Sequence, residues 1–481
     1  MANHPDVSTL AELLESGWVS RSVKEEIRQN TLARMAAGDD LFPGVQGYEH
    51  TVIPQLEHAI LAGHDIVFLG ERGQAKTRMI RSLTNLLDEW MPIVAGSEIN
   101  DDPTNPVSRY AMDLIASEGD DTPIAWVHRS DRFGEKLATP DTSIADLIGE
   151  VDPIKVAEGR YLSDELTLHY GLVPRTNRGV FAINELPDLA ERIQVGLLNV
   201  LEERDVQVRG YKVRLPIDVM LVASANPEDY TNRGRMITPL KDRFGAQIRT
   251  HYPLDINTEV EIALQEANLP DDGPAVFIPD FMAELIATFT HAARGSGHIN
   301  QASGVSVRLT VSNLETLAAA AVRRSLRMGE AGLDSGTVVP RVSDLDALIA
   351  PTAGKIEIEA LDEGRDGEVI DHLMRSAIVE LFKRRLSGEG IRQVADAFEG
   401  DIVASSGDDV PIGDYVDLMA KVPALAVPAA ELLGDQADQL DDAGRAAANA
   451  SAIELILEGM HLSKRLNKDA IGTRSAYRSR M

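Results

Sequence analysis

The sequence predicts an α/β fold built on a parallel sheet over residues 46–255. Short runs rich in β-branched residues (HDIVFLG, PIAWVH, RGVFAINE and VMLVASAN) alternate with segments of helical periodicity. The clearest helical segment follows the first run and places six apolar residues on one face: Met79, Ile80, Leu83, Leu86, Leu87 and Trp90. Strands separated by helices are joined by crossovers, and such crossovers produce a parallel sheet that is covered on both faces.

The other segments are predicted to be mainly helical. Residues 1–45 are interpreted as short polar helices, and residues 256–350 as a helical domain with segments such as VSNLETLAAAAVRRSL. In residues 351–481 the alternation of KIEIEA indicates one strand, and MRSAIVELFKRRL indicates a helix. We interpret the acidic stretch DQADQLDD and a basic C-terminal tail as solvated surface. The tail contains Lys464, Arg465, Lys468, Arg474, Arg478 and Arg480.

Composition and charge exclude several classes of protein. The 481 residues, 44% hydrophobic and 26% charged, are typical of a globular chain of about three domains. The net charge of −29 argues against a nucleic-acid partner, because such a surface repels phosphate backbones. Without Cys, disulfides, thiolate zinc sites and cysteine nucleophiles are excluded. No run approaches the roughly 18 apolar residues of a membrane span and no secretory signal is evident, so a cytoplasmic location is expected.

The string GERGQAKT, residues 70–77, has the features of a phosphate-binding loop. It follows the apolar run HDIVFLG and precedes an amphipathic helix, as such a loop requires. Glycines let backbone N–H groups face an anion, Lys76 can reach the β and γ phosphates, and the Thr77 hydroxyl can ligate Mg²⁺. Ala75 replaces the second Gly of the usual pattern, which is tolerated if its φ is not positive. The predicted nucleotide-binding residues are Gly70, Gly73, Gln74, Ala75, Lys76, Thr77 and Arg78.

A second apolar run, RGVFAINELPDL, ends in the polar pair Asn184 and Glu185. In a Walker B segment the strand end offers a carboxylate to the Mg²⁺ shell, and the next acid polarises the attacking water. Glu185 is therefore the candidate base, whereas the metal-side residue, Asn184, is neutral. Either Mg²⁺ relies on Thr77 and the nucleotide, or a nearby acid such as Asp188 compensates.

Taken in order over residues 42–325, these motifs resemble those of the AAA+ ATPases, specifically the branch that contains the magnesium-chelatase I subunit and the MoxR-type ATPases. GVQGYEHTVIPQLEHAILAGHDIVFLGERGQAKT is similar to the entry helix and Walker A loop of that branch, and ATPDTSIADLIGEVDP to its second strand and following segment. IKVAEGRYLSDELTLHYGLVPRTNRGVFAINELPDL is similar to its helix-two insertion and Walker B segment. DVQVRGYKVRLP is similar to its pre-sensor β-hairpin, with a turn near Gly210. The resemblance implies a P-loop AAA+ core, a helical lid and a small, mostly helical C-terminal region.

The resemblance also implies catalytic roles for residues beyond Glu185. LVASANPEDY supplies Asn226 as sensor 1, and GVSVR supplies Arg308 as sensor 2. LKDRFG supplies Arg243 as an arginine finger that acts on the nucleotide of a neighbouring subunit. Alternatively, Arg243 pairs with Asp242 at the surface and Arg308 has no role beyond its helix.

The expected function is a ring-forming motor that hydrolyses ATP with Mg²⁺ and remodels a protein partner in a chaperone-like way. The family implies a homo-oligomeric ring such as a hexamer, and a separate partner with a von Willebrand A domain, whose DxSxS signature is absent from this sequence. Two alternatives stay open: an ATP-binding scaffold with little hydrolysis, suggested by Asn184, and a magnesium-chelatase ATPase subunit in tetrapyrrole synthesis. A sigma-54 activator is not expected because the GAFTGA loop is absent, and the net charge disfavours a replicative helicase.

Overall fold

The chain forms two compact units, Met1–His251 and Tyr252–Met481. The structure, a computed structural model, describes residues 4–152, 167–202, 205–207, 214–226, 235–269, 272–332, 336–359, 364–398, 402–471 and 474–480. The finer division of the chain at residues 45, 255 and 350 remains a prediction. Among the described helices, none combines the length and the apolar character that crossing a membrane requires.

The first unit is built on a five-stranded parallel sheet. Its strands are β1 (Ile66–Leu69), β4 (Phe133–Leu137), β7 (Gly179–Asn184), β10 (Val219–Ala225) and β11 (Ala246–Arg249). They lie in the order β11-β1-β10-β7-β4, and all four pairings are parallel. The sheet confirms the predicted α/β class, and it brings the carboxyl ends of neighbouring strands to one edge.

Apolar cores cover both faces of this sheet, as predicted. Because side chains alternate along a strand, Val67 and Leu69 of β1 enter one core, whereas Ile66 and Phe68 enter the other. The described helices of this unit are α1 (Leu10–Glu15), α2 (Val23–Ala37), α3 (Val52–Leu61), α4 (Lys76–Ser82), α5 (Arg109–Glu118), α6 (Ile144–Leu147), α7 (Leu172–Arg175), α8 (Glu191–Glu202) and α9 (Thr238–Arg243).

Two expectations for the sheet region are wrong. The run PIAWVH forms β3 (Ile124–His128), which pairs antiparallel with β2 (Trp90–Val94) outside the central sheet. Trp90 therefore begins a strand and does not lie on the helix after the phosphate loop. That helix, α4, ends at Ser82 and passes into a short 3-10 turn. The Asp88 N–H donates to the Glu26 carboxylate of α2 at 2.7 Å, so a tertiary hydrogen bond outweighs the local helical pattern.

The edge strand of the central sheet also differs from the expected one. The segment ATPDTSIADLIGEVDP, compared with the second AAA+ strand, instead follows β4 and contains α6 and β5 (Gly149–Val151). β5 pairs antiparallel with β6 (Leu168–Tyr170), and residues 153–166, most of the predicted helix-two insertion, lie outside the described residues. β8 (Asp205–Gln207) and β9 (Arg214–Pro216) form the predicted pre-sensor hairpin, whose expected turn near Gly210 is also outside them.

The second unit is mainly helical. Its described helices are α10 (Ile256–Glu266), α11 (Asp280–Gly295), α12 (Arg308–Met328), α13 (Ile349–Ala353), α14 (Asp366–Arg385), α15 (Gly388–Ala397), α16 (Ile412–Lys421), α17 (Ala426–Leu433) and α18 (Asp442–Leu462). The segments VSNLETLAAAAVRRSL and MRSAIVELFKRRL lie in α12 and α14, as predicted. In the described part of KIEIEA, residues 355–359, Ile358 makes an isolated bridge to Ile299 in place of the predicted strand.

The described residues of the second unit also contain five short strands. β12 (Ala275–Val276) pairs with β13 (Thr337–Val338). β14 (Ala404–Gly407), β16 (Arg474–Ser479) and β15 (Leu466–Ile471) form an antiparallel sheet in that order. The basic tail thus contains two strands, and three of its cations form ion pairs: Lys468 with Glu458, Arg474 with Asp409, and Arg478 with Asp469.

Candidate nucleotide-binding site

The loop between β1 and α4 has a backbone that requires glycine at two positions. Gly70 follows β1, and a Cβ atom there would lie 1.8 Å from the Thr250 hydroxyl oxygen. Gly73 has a φ of 74°, in the left-handed region. The sequence prediction of a tight glycine-containing turn from strand to helix is therefore correct.

Gln74 anchors this loop to the rest of the unit. Its side-chain oxygen accepts hydrogen bonds from the Thr250 hydroxyl at 2.6 Å and from the Glu71 N–H at 3.0 Å. Its backbone carbonyl accepts from the Tyr48 hydroxyl at 3.0 Å, and burial raises the pKa of Tyr48, which keeps this hydroxyl a donor. Sequence analysis missed Tyr48 and Thr250, because no motif marks residues that come from distant parts of the chain.

The Lys76 side chain is buried and folds over the loop. Its ammonium group donates to the carbonyl oxygens of Gly70 and Glu71, the latter at 2.7 Å. Thr77 and Arg78 are exposed at the start of α4, and the Arg78 guanidinium donates to the Gly44 carbonyl at 2.8 Å. The Lys76 ammonium thus lies on the loop itself, whereas the described contact of Arg78 is directed to another segment.

Ala75 contradicts one condition of the sequence analysis. Its φ of 54° and ψ of 12° place it in the left-handed region, where the expectation required a φ that is not positive. A Cβ atom in this region costs an L-residue roughly 1–2 kcal/mol. Ala75 therefore carries backbone strain that the glycine of the usual pattern would avoid.

The polar residues that follow β7 and β10 meet at the edge that carries the loop. β10 lies between β1 and β7, so Asn226, which is buried directly after β10, lies between the loop and the Asn184–Glu185 pair. The Ser224 hydroxyl links the two strand ends: it donates to the Asn184 side-chain oxygen and accepts from the Glu185 N–H, both at 3.2 Å. The fold thus brings together Lys76, Asn184, Glu185 and Asn226.

A carboxylate that the sequence analysis missed also lies at this edge. The Asn184 amide nitrogen donates to Glu135 of β4 at 2.6 Å. The other Glu135 oxygen accepts from the Arg81 guanidinium at 2.8 and 3.0 Å. The alternation in RFGEKL marks a strand, but the sequence gives no sign of which strand lies beside β7.

The other two predicted catalytic residues come from different elements. Arg243 is the exposed last residue of α9, and two residues separate it from β11. β11 begins beside Ile66, the first residue of β1, whereas the phosphate loop follows the last residue of β1. In chain order, Arg243 therefore comes just before the amino end of the edge strand β11. Arg308 is the exposed first residue of α12, in the second unit.

The oxygen donors at the loop edge fit a hard cation. The Thr77 hydroxyl, the Asn184 amide and the Glu185 carboxylate are ligand types that Mg²⁺ accepts. In the part of the chain that the structure describes, no three His, Cys, Asp or Glu side chains form a metal-binding group. Mg²⁺ in nucleotide sites is usually held by one or two carboxylates plus phosphates, and oxygen ligands of these types are present at this edge.

Comparison with known proteins agrees with this geometry. The sigma-54 interaction domain family matches residues 158–244, which include β7, β10 and α9. Magnesium-chelatase subunit ChlI of Chlamydomonas reinhardtii is 28% identical over 236 residues, covering 46% of this chain and 51% of that protein. The magnesium-chelatase 38 kDa subunit of Cereibacter sphaeroides is 29% identical over 209 residues, covering 41% of this chain and 54% of that protein. This chain spans about half the length of these curated relatives.

A solved structure with a similar chain is the complex between subunits BchI and BchD of magnesium chelatase. The match covers 68% of this chain and 98% of that one, at 19% identity and a TM-score of 0.36, which is too low to bear on function.

The fold, the loop and the sequence matches of this chain together are those of the AAA+ class, whose members use ATP with Mg²⁺. Within that class it is related to the I subunits of magnesium chelatase. The predicted class, fold and nucleotide are therefore confirmed.

Proposed function

We propose that this chain is an ATP-hydrolysing motor that works as a ring and remodels or activates a protein partner. The observation that carries the proposal is the convergence of the phosphate loop, Glu185 and Asn226 at the ends of three adjacent strands. A loop alone would support nucleotide binding. A carboxylate and an amide beside the loop also support attack by water on the γ phosphate.

The roles of the residues follow from their chemistry. Lys76 meets the β and γ phosphates with its ammonium group, and the Thr77 hydroxyl and Asn184 face the cation. Bound Mg²⁺ supplies the positive charge that neutralises the phosphate oxygens. Glu185 accepts the proton of the attacking water, while Asn226 orients that water against the γ phosphate.

We propose that Arg243 serves a site shared between subunits, as the family resemblance implies. Arg243 is the exposed last residue of α9, two residues before β11 begins. An arginine finger in this position would serve the nucleotide of a neighbouring copy, as the ring proposal requires. Arg308, at the start of α12, is proposed as sensor 2, as the family resemblance implies.

The relatives support a second candidate function. They are magnesium-chelatase subunits, so this chain could be the ATPase of a chelatase that acts in tetrapyrrole synthesis. Other parts of the proposal rest on the resemblance alone: the MoxR-type chaperone-like role, the hexamer and the partner with a von Willebrand A domain.

Assembly and turnover, measured on the same samples, separate a motor from a scaffold. Light scattering with and without ATP reports assembly, and steady-state phosphate release reports hydrolysis. A ring motor with shared sites releases more phosphate per subunit as protein concentration rises, because assembly completes each site. Nucleotide-dependent assembly without phosphate release would instead establish the scaffold function.

A further inference from the structure

Position 184 lacks the negative charge that a Walker B strand end normally provides. The Asn184 amide is fixed at both ends: its nitrogen donates to Glu135 at 2.6 Å, and its oxygen accepts from Ser224 at 3.2 Å. A full carboxylate therefore lies one hydrogen bond from the neutral residue. It comes from β4, the strand next to β7.

The Glu135 side chain is partly shielded from solvent, whereas that of its cationic partner, Arg81, is largely exposed. The Glu135 side chain is 22% exposed, and that of Arg81 is 63% exposed. Ion pairs with such exposed partners are strongly screened by water and contribute little to stability. The ion pair therefore orients the carboxylate without removing its charge from the strand edge.

Asp188, the acid considered from the sequence, has a different setting. It ends the 3-10 turn Leu186–Asp188, and its backbone N–H donates to the Glu185 carbonyl at 2.9 Å. Glu135 contacts the side chain of Asn184 directly. The geometry favours Glu135 as the compensating acid.

We propose that Glu135 supplies the negative charge for Mg²⁺ that Asn184 does not, and acts as a positioning residue by holding the Asn184 amide. This inference rests on the proposed nucleotide site and names a further residue of it. Charge count is a main determinant of affinity for hard cations, so loss of Glu135 should weaken Mg²⁺ binding and leave the loop intact.

Moving the charge across the hydrogen bond tests the proposal. In Glu135→Gln the carboxylate is lost. In Glu135→Gln with Asn184→Asp, the amide introduced on β4 can donate to the carboxylate introduced on β7, so the shape and the charge count return with the polarity reversed. The readout is equilibrium binding of a fluorescent ADP analogue to the full chain, titrated with Mg²⁺. Asp188→Asn tests the other acid, and Glu118→Gln, an exposed residue of α5, is the matched control.

We expect Glu135→Gln to require about tenfold more Mg²⁺ for half of the Mg²⁺-dependent gain in binding. The double variant should return to within about threefold of wild type, and Asp188→Asn and Glu118→Gln should match wild type. An unchanged titration of Glu135→Gln, or a shift that only Asp188→Asn produces, would overturn the inference. If Glu135→Gln fails to fold, the double variant decides: a weakened Mg²⁺ response there also overturns it. A wild-type chain that binds no analogue would instead overturn the proposed function itself.

Discussion

Asn184 on β7 donates a 2.6 Å hydrogen bond to the carboxylate of Glu135 on the adjacent strand β4. The two residues are 49 positions apart, and parallel pairing of the strands brings them together. The charge of a phosphate-binding site therefore depends on neighbouring strands as well as on its motifs. A neutral residue at a Walker B position does not by itself imply a site deficient in negative charge.

Nucleotide binding should depend on Lys76. The Lys76 ammonium lies on the loop and donates to two of its carbonyl groups, so it is placed to meet the phosphates. We expect Lys76→Ala to abolish detectable ATP binding in a titration with a fluorescent analogue, whereas Lys383→Ala, an exposed control, binds as wild type does. The fluorescence of Trp18, Trp90 and Trp126, all in the first unit, should confirm that this unit stays folded. Unchanged affinity for ATP would contradict the loop assignment.

The strain at Ala75 predicts a stabilising substitution. Ala75→Gly removes the Cβ atom from a left-handed backbone, and this gain exceeds the extra entropy of glycine in the unfolded chain. We expect stability to rise by about 0.5–1 kcal/mol in urea unfolding followed by tryptophan fluorescence. The control Ala33→Gly, at an exposed position inside α2, should instead lower stability by about 0.5–1 kcal/mol. Equal losses in both variants would show that residue 75 is not strained.

A composite active site predicts complementation between two inactive variants. Arg243→Ala removes the finger and Glu185→Gln removes the base, so each homogeneous sample should lose at least about a hundredfold in phosphate release. Mixed rings contain some sites with an intact base on one subunit and an intact finger on the next. We expect the mixture to regain a measurable fraction of wild-type turnover. Inactive mixtures of variants that demonstrably co-assemble would exclude a shared site.

The stability of the second unit should depend on pH through one buried carboxyl group, that of Glu454. Burial raises the pKa of Glu454 above its ordinary value of 4.5, although Arg341 partly offsets this effect. A carboxyl group with a raised folded pKa binds its proton more tightly in the folded state. Its effect on stability is therefore favourable at low pH and is lost as pH rises from the unfolded toward the folded pKa.

Glu454→Gln tests this pH dependence, because glutamine keeps the shape and never ionises. We expect the unfolding temperature of the second unit to match that of wild type at about pH 4 and to exceed it at about pH 7. Calorimetry measures the transition, and tryptophan fluorescence identifies that of the first unit, because all three tryptophans lie there. Glu261→Gln, at an exposed position on α10, should have no such effect. If Glu454→Gln raises the unfolding temperature by the same amount at both pH values, ionisation of Glu454 is not the cause of the increase.

The sequence was most informative where function depends on local order along the chain. The phosphate loop could be predicted because its glycines, Lys76 and Thr77 lie close together in the sequence. Glu185 could be predicted because it follows a strongly apolar strand, whereas Asn226 was implied by the family resemblance. Parallel pairing then brings those strand ends to one edge. The short runs alone could not distinguish a central strand from a peripheral one, which is why β3 was misplaced.

Features that depend on tertiary contacts could not be predicted. Glu135 and Thr250 reach the site from β4 and from the segment after β11, and neither belongs to a recognisable motif. Trp90 continues a helical pattern, but hydrogen bonds between Asp88 and α2 end the helix before it. The sign of φ at Ala75 is a backbone property that the letter sequence does not encode.

The most direct test of the proposed motor compares binding and hydrolysis in Glu185→Gln. Glutamine keeps the shape of Glu185 but cannot accept the proton of the attacking water, so only the chemical step should suffer. The measurement is single-turnover phosphate release with saturating Mg²⁺ and ATP, after ATP affinity has been measured on the same protein. We predict ATP affinity within about threefold of wild type and a hydrolysis rate at least about a hundredfold lower, with Glu118→Gln unchanged in both. If the wild-type chain binds ATP and Glu185→Gln hydrolyses ATP at the wild-type rate, Glu185 is not the base and the proposed motor mechanism is contradicted.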